Sequence, residues 1–284
     1  MSEVQAVLAQ SLPDFVDLDF ARRLEMAETM TPEWVESMRH ANPLQAIAWE
    51  EIAGGTAFFG GPAYPANQVL GMGLYGAVTS DDVGRVEQFF RSRRVTSAIV
   101  VSPLADPSLL ALLGRCGYRV AEFNSVLIRR ISAEEPAPRP AGVTIERLTP
   151  ATDRPWMRAL AQGFSDVVPV EDNLLLGFSG VPGNLAFLAR LDGEIAGGSA
   201  GRILPQARIL ALCGSSTLPE FRRRGVQSAL IAQRLQEAAL AGCEYAVVST
   251  QPGSGSQRNM ERKGFRVAYT KVVMMRDWPE LSNQ

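Results

Sequence analysis

The sequence predicts an α+β protein built from two similar halves, each a mixed, mostly antiparallel sheet flanked by helices. Three observations carry that expectation. A proline-rich stretch lies near the middle, text recurs on either side of it, and strands outnumber helices while one strand–loop–helix–strand unit forces a parallel crossover.

The stretch is "SAEEPAPRPAG", residues 132–142, where three prolines and two glutamates interrupt hydrophobic text. It reads as an extended, exposed linker between a domain at 1–131 and another at 143–284. Across it, "EIAGGTA" (51–57) answers "EIAGGSA" (194–200). The segment 100–130 also aligns without a gap on 247–277, with Val100, Val101, Ser102, Gly117, Arg119, Val120, Ala121, Val126 and Arg129 meeting their own kind. Two matches in the same order suggest duplication.

In the first half, "WVESMRH" reads as a helix end that favours the cationic His40. "NQVLGMGLYGAVTS" (67–80) reads as a strand, "DDVGRVEQFFRSRR" as a helix and "SAIVVS" (97–102) as a strand. In the second half, "VTIERL" (143–148) alternates as a strand, and 151–166 spaces Trp156, Leu160 and Phe164 as a helix. Residues 185–204 form two strands about an Asp192-Gly193 turn. "ARILALCGSSTL" (207–218) is a long apolar strand, followed by a helix that ends near Gly242. "EYAVVST" (244–250) is a buried strand, a short helix ends at Gly264, and 265–277 returns as a strand.

Composition narrows the function. The 284 residues are 46% hydrophobic and 20% charged, which describes a folded chain of about two domains. A net charge of −2 offers no global field for nucleic acid or an anionic membrane. Cys116, Cys213 and Cys243 are odd in number and lack C-x-x-C spacing, which argues against disulfides and zinc and fits a reducing, cytoplasmic setting. The opening residues lack the basic and apolar segments of a signal peptide, and no apolar run approaches the roughly 20 residues of a membrane span. With a single histidine, His40, a histidine-dependent triad is not expected.

One stretch stands against ordinary helix preference. "STLPEFRRRGVQSAL" (216–230) places Arg222, Arg223 and Arg224 at the amino end of a helix, where a cation is disfavoured by about 0.3–1 kcal/mol. The same end is a ready anion site, because four amides lack intrahelical partners and Gly225 lets the backbone come close. A Walker loop or a dinucleotide fingerprint would need glycines that are absent.

The stretch resembles the pyrophosphate loop of the GNAT N-acetyltransferase superfamily, [QR]-x-x-G-x-[GA] after V-x-P-x-[YF]. Arg222, Gly225, Pro219 and Phe221 match it, while Thr217 stands for the valine and Gln227 for the last glycine or alanine. The likeness runs in element order over 143–277 and implies two tandem GNAT-like domains with acetyl-CoA as co-substrate. It further implies backbone contacts from Ser215, Ser216, Thr217 and Leu218 to the pantetheine arm. Amides from Arg223, Arg224, Gly225, Val226 and Gln227 would hold the pyrophosphate, and Ser256 or Asn259 would supply polar contacts from the other side. In the first half Asp81 and Asp82 stand where the arginines should be, so that copy reads as a degenerate GNAT-like domain.

The resemblance leaves the chemistry open. The family's tyrosine, four residues before the Gly-Phe pair, is here Met260, and the first copy has Leu113. Tyr269 and Cys213 read as packing residues, with acid and acyl-carrier roles as the alternatives. Glu171 and Asp172 read as a solvated loop or as binders of a cationic amine. The implied reaction is acetyl transfer to a small-molecule or peptide amine, by a monomer or homodimer without nucleic acid or membrane. The alternative is a module that binds acyl-CoA without turnover. The acceptor pocket would come from 60–66 and 166–183.

Overall fold

Buried, largely apolar runs build the central strands Ser97–Val101, Asn184–Leu191, Glu194–Leu204 and Tyr245–Thr250. The computed structural model describes residues 16–41, 43, 45–62, 64–149, 152–164 and 178–278. They divide into two compact units, one built mainly on 128–248 and the other on 17–39, 43–127 and the chain from Ser249 onward.

The unit of the first half opens with helix α1 (Leu18–Glu28), capped by Asp17, whose carboxylate accepts the Phe20 N–H at 2.8 Å, and continues with α2 (Pro32–Ala41). Strands β1 (Ala48–Ile52) and β2 (Gly55–Phe59) form a hairpin through Ala53 and Gly54, both at positive φ, as a two-residue turn between twisted strands requires. Next come β3 (Gln68–Leu70), α3 (Ser80–Arg91), β4 (Ser97–Val101), α4 (Pro107–Arg115) and β5 (Arg119–Arg130). The sheet of this unit runs β1-β2-β3-β4 and is continued by the last strand of the chain, β11 (Arg266–Arg276), antiparallel to β4 from Val272↔Val101 to Arg276↔Ser97. Helices α3 and α4 cover one face, where Phe89, Phe90, Leu109 and Leu113 pack on Ile99, Val101 and Met274.

The unit of the second half contains β6 (Val143–Arg147), α5 (Asp153–Phe164), β7 (Asn184–Leu191), β8 (Glu194–Leu204), β9 (Ile209–Thr217), α6 (Val226–Leu240) and β10 (Tyr245–Thr250). Its sheet runs β6-β7-β8-β9-β10, antiparallel except for the β9–β10 pair, which α6 joins as a parallel crossover. Trp156 of α5 lies fully buried and donates its indole N–H to the Ser199 carbonyl at 3.2 Å. The final turn of β5 belongs here, and Ile131 N–H donates to the Glu244 carbonyl at 2.8 Å. Helix α7 (Gly255–Glu261) is counted with the other unit.

The observed architecture is the expected α+β class, with three local differences. "EIAGGTA" straddles the β1–β2 turn whereas "EIAGGSA" lies within β8 after the Asp192-Gly193 turn, so that sequence match is not a structural one. The longer match falls on the same element order in both halves, β4–α4–β5 and β10–α7–β11. Of the strand expected over 67–80, only Gln68–Leu70 forms, because Gly71, Gly73 and Gly76 take positive φ and turn the chain. The expected linker is mostly exposed, but Glu135 is buried, where its carboxylate accepts from Arg129 at 2.9 Å and from the Ser132 N–H at 2.8 Å.

Candidate functional site

Strand β9 stays with one neighbour and leaves the other. Its ladder with β8 runs from Leu204↔Ile209 to Gly197↔Thr217, whereas its parallel pairing with β10 stops at Ala211↔Val247. The cause lies between Cys213 and Ser215. These residues pair with Ala200 and Ser199, so Gly214 is an extra residue, at φ 40°, in a β-bulge. A bulge bends its strand and leaves ladder groups unpaired. The edge of β9 beyond Ala211 therefore keeps backbone groups without a β10 partner.

Beyond β9 the chain makes a single 3₁₀ turn over Pro219–Phe221 and reaches the arginines. Arg223 (φ 65°) and Gly225 (φ 84°) are both left-handed. Alternation of this kind turns successive N–H groups toward one side, the geometry of an anion nest. Gly225 is the N-cap of α6, and the first helical bond is Ala229 N–H to the Gly225 carbonyl at 3.0 Å. The amides of Gly225, Val226 and Ser228 thus have no intrahelical acceptor, and glycine has no side chain to cap them.

The three arginines divide their labour. Arg222 turns back, donating from Nε to the Thr217 carbonyl at 3.3 Å and from Nη2 to the Gly163 carbonyl at 3.2 Å, and so ties α5 to the end of β9. Arg224 pairs with Asp192 at 3.0 Å. Arg223 is exposed and makes no ion pair among the described residues. Its charge is the one left over beside the uncapped amides.

Of the other residues expected here, Ser216 donates its hydroxyl to the Ala159 and Leu160 carbonyls at 3.1 and 3.2 Å, so its side chain holds α5 rather than a ligand. Leu218 N–H is committed to the Ala196 carbonyl at 2.9 Å, which removes that amide from the expected set. Thr217 Oγ1 is buried without a partner among the described residues. Ser215 to Leu218 and Arg222 to Gln227 therefore lie together in one unit. Ser256 and Asn259 lie on α7 in the other, exposed and half-buried. That helix is capped by Ser254, which accepts the Gln257 N–H at 3.1 Å.

Two readings change with the structure. Cys213, expected to be buried packing, is exposed at the bulge, whereas Cys243 is buried and its thiol is pushed up to about 11 by desolvation. Tyr269 is buried as expected and donates its hydroxyl to Glu25 at 2.7 Å; burial, then the Glu25 charge, raise its pKa far above the ordinary phenol. Glu171 and Asp172 lie outside the described residues, as does most of the expected acceptor loop at 166–183.

Sequence reasoning missed Arg234 and the bulge. Arg234 lies on the buried face of α6, in register with Leu230 and Ala238, and is wholly inaccessible to solvent. A cation at i+4 spacing within an apolar stripe, and a glycine inside a strand, were the available signals. No group of three or more His, Cys, Asp or Glu could hold a metal among the described residues, and no described helix is long and apolar enough to cross a membrane.

Comparison with known proteins bears on the fold and on residues 153–265. Residues 153–265 match the model of the acetyltransferase (GNAT) family. No curated protein sequence matches the chain significantly. Among solved structures, a GCN5-related N-acetyltransferase from Kribbella flavida is similar over 93% of this chain and 98% of its own, with TM-score 0.64 and 16% identity. A GCN5-related N-acetyltransferase from Sphaerobacter thermophilus is similar over 94% and 96%, with TM-score 0.57 and 17% identity. A tandem GNAT protein from the clavulanic acid biosynthesis pathway is similar over 91% and 93%, with TM-score 0.55 and 14% identity. The structural likeness concerns the fold, and the family match falls on the half that carries the bulged strand and the uncapped helix. The family likeness is thus confined to residues 153–265, which are similar to a GNAT acetyltransferase domain.

Proposed function

We propose that the chain is an acetyl-CoA-dependent N-acetyltransferase whose second half holds the co-substrate and whose first half is a copy that does not. The observation that carries this reading is the start of α6: uncapped amides, a left-handed Arg223–Gly225 turn and an uncommitted arginine, beside a strand that has left its neighbour after Ala211. A pyrophosphate suits the first feature and an extended chain of amides the second. Coenzyme A joins the two.

Bound acetyl-CoA would supply the acetyl group as an activated thioester. On this reading the amides of Arg223, Arg224, Gly225, Val226 and Gln227 hold the pyrophosphate, and the Arg223 side chain adds charge. The backbone of Ser215 to Thr217 orients the arm. The copies are read as 1–131 and 143–284, joined by 132–142, so that β11 of the second copy is lent to the sheet of the first.

Acetyl transfer further needs a neutral amine and a proton for the departing thiolate. Met260 is buried and has no proton to give, and Tyr269 has committed its hydroxyl to Glu25. A missing general acid forgoes about 10²–10⁴-fold in rate. A thiol of ordinary pKa, about 8.5, leaves slowly but unaided near neutral pH.

Met260 also favours a second reading, a module that binds acyl-CoA without turnover. Release of free thiol from acetyl-CoA, measured over a panel of small-molecule and peptide amines, separates them. Amine-dependent release supports the enzyme; binding without release for any amine supports the module.

A further inference from the structure

Arg234 is buried at a price that its neighbours must offset. None of its surface is exposed, and desolvation pulls the guanidinium down to about 10, with the Cys213 thiol the ionisable neighbour that acts against this. Burying a cation without a carboxylate is worthwhile only where hydrogen bonds replace its hydration.

Those bonds converge on the bulge. Nη1 donates to the Ala200 carbonyl at 2.6 Å and to the Cys213 carbonyl at 3.4 Å, Nη2 to Ser215 Oγ at 3.3 Å, and Nε to the Leu230 carbonyl of its own helix at 3.1 Å. Ala200 pairs with Cys213 just before the register shift, and Ser199 pairs with Ser215 just after it. Three of the four acceptors therefore flank Gly214. An apolar residue in place of Arg234 would leave those carbonyls without their donor. Lysine would keep the charge, but a single nitrogen cannot span the same acceptors as a planar fork.

We propose that Arg234 is a positioning residue for the thioester arm: its guanidinium fixes the Gly214 bulge, and the bulge keeps the edge of β9 out of the β10 ladder and free to meet the amides of pantetheine. The inference rests on the acetyl-CoA reading above. It separates two parts of one ligand, because the loop at Arg223–Gln227 meets the nucleotide end whereas the bulge concerns the arm.

The test is calorimetric titration of the full chain, as wild type, Arg234→Lys and Gly214→Ala, with acetyl-CoA and separately with adenosine 3′,5′-bisphosphate. Gly214→Ala strains the bulge at its positive φ without touching the arginine. Both variants are expected to lose about tenfold or more in affinity for acetyl-CoA and to keep bisphosphate affinity within about twofold. Amide exchange over Cys213–Thr217 should also quicken in both variants, with or without ligand. Equal losses for the two ligands, or unchanged acetyl-CoA affinity in Arg234→Lys, would overturn the inference. A wild-type chain that binds neither ligand would instead overturn the acetyl-CoA reading on which it rests.

Discussion

In the first half, the helix that follows the short strand β3 begins at Thr79, whose hydroxyl accepts the Asp82 N–H while the Asp82 carboxylate accepts the Thr79 N–H at 2.9 Å. In the second half, the matching helix begins at Gly225, with no side chain at all and three arginines before it. The first arrangement satisfies the helix end from within. The second leaves the same groups to something outside.

The contrast extends along the preceding strand. Where β9 runs nine residues and departs from its parallel neighbour, β3 runs three. The chain after β3 folds inward, burying Met72 and Leu74, and is bonded to the start of α4 by Asp106 N–H to the Gly73 carbonyl at 2.8 Å and Val78 N–H to Ser108 Oγ at 2.8 Å. A buried charge cluster of this unit is paired inside it. Lys271 is buried and donates to Glu25 at 3.2 Å and to Glu28, while Ser249 donates to Glu28 at 2.7 Å. One helix start is satisfied by its own side chains, and the other is not.

Variants in each half break or sharpen this contrast. Lys271→Met should have the largest effect, because it leaves the buried Glu25 and the half-buried Glu28 without their cation. The expected loss is about 3–5 kcal/mol in denaturant unfolding, with acetyl-CoA affinity per folded molecule unchanged. Gly225→Ala comes next. Its Cβ would sit at φ 84° and 2.6 Å from Pro140 Cγ, so about 1–2 kcal/mol of backbone strain adds to a steric clash. Calorimetry should find acetyl-CoA affinity reduced by about tenfold or more.

Arg223→Ala should be quieter, with the melting temperature unchanged and affinity for acetyl-CoA reduced about three- to tenfold at low salt and less at high salt. Arg222→Ala, which also unties α5 from β9, should lower both stability and affinity, and that difference distinguishes the free arginine from the structural one. Thr79→Ala is the smallest change, about 0.5–2 kcal/mol of stability with no new anion binding. Hydrogen bonds from the Thr79 side chain and backbone hold the Asp82 carboxyl below its ordinary range. Its contribution is therefore present above the ordinary carboxylate pKa and lost as pH falls through the lowered one. Thr79→Ala should flatten that acid arm of the stability curve.

Much of this was legible in the residues, and the gaps have physical causes. The arginine loop could be read because three cations at a helix start contradict the dipole, and Asp81 and Asp82 because they obey it. The positions of β6 to β10 followed from alternation in β6, the Asp192-Gly193 turn, and apolar runs in β9 and β10. The placement of β11 did not, since an apolar strand matches either sheet equally well and only its register on β4 decides. "EIAGG" misled because the same five letters suit a tight turn and the close packing of a strand. The bulge and Arg234 escaped for a related reason. An arginine inside an amphipathic helix looks like a solvated face until the carbonyls it serves are located.

The central claim is that only the second half retains an anion-binding helix start beside an open strand edge. Titration calorimetry of acetyl-CoA into the full chain tests it most directly, through stoichiometry as well as affinity. One site per chain, weakened by Gly225→Ala and untouched by Thr79→Ala, is the predicted result. Two sites per chain would contradict the closed reading of the first half, and no binding would contradict the open reading of the second.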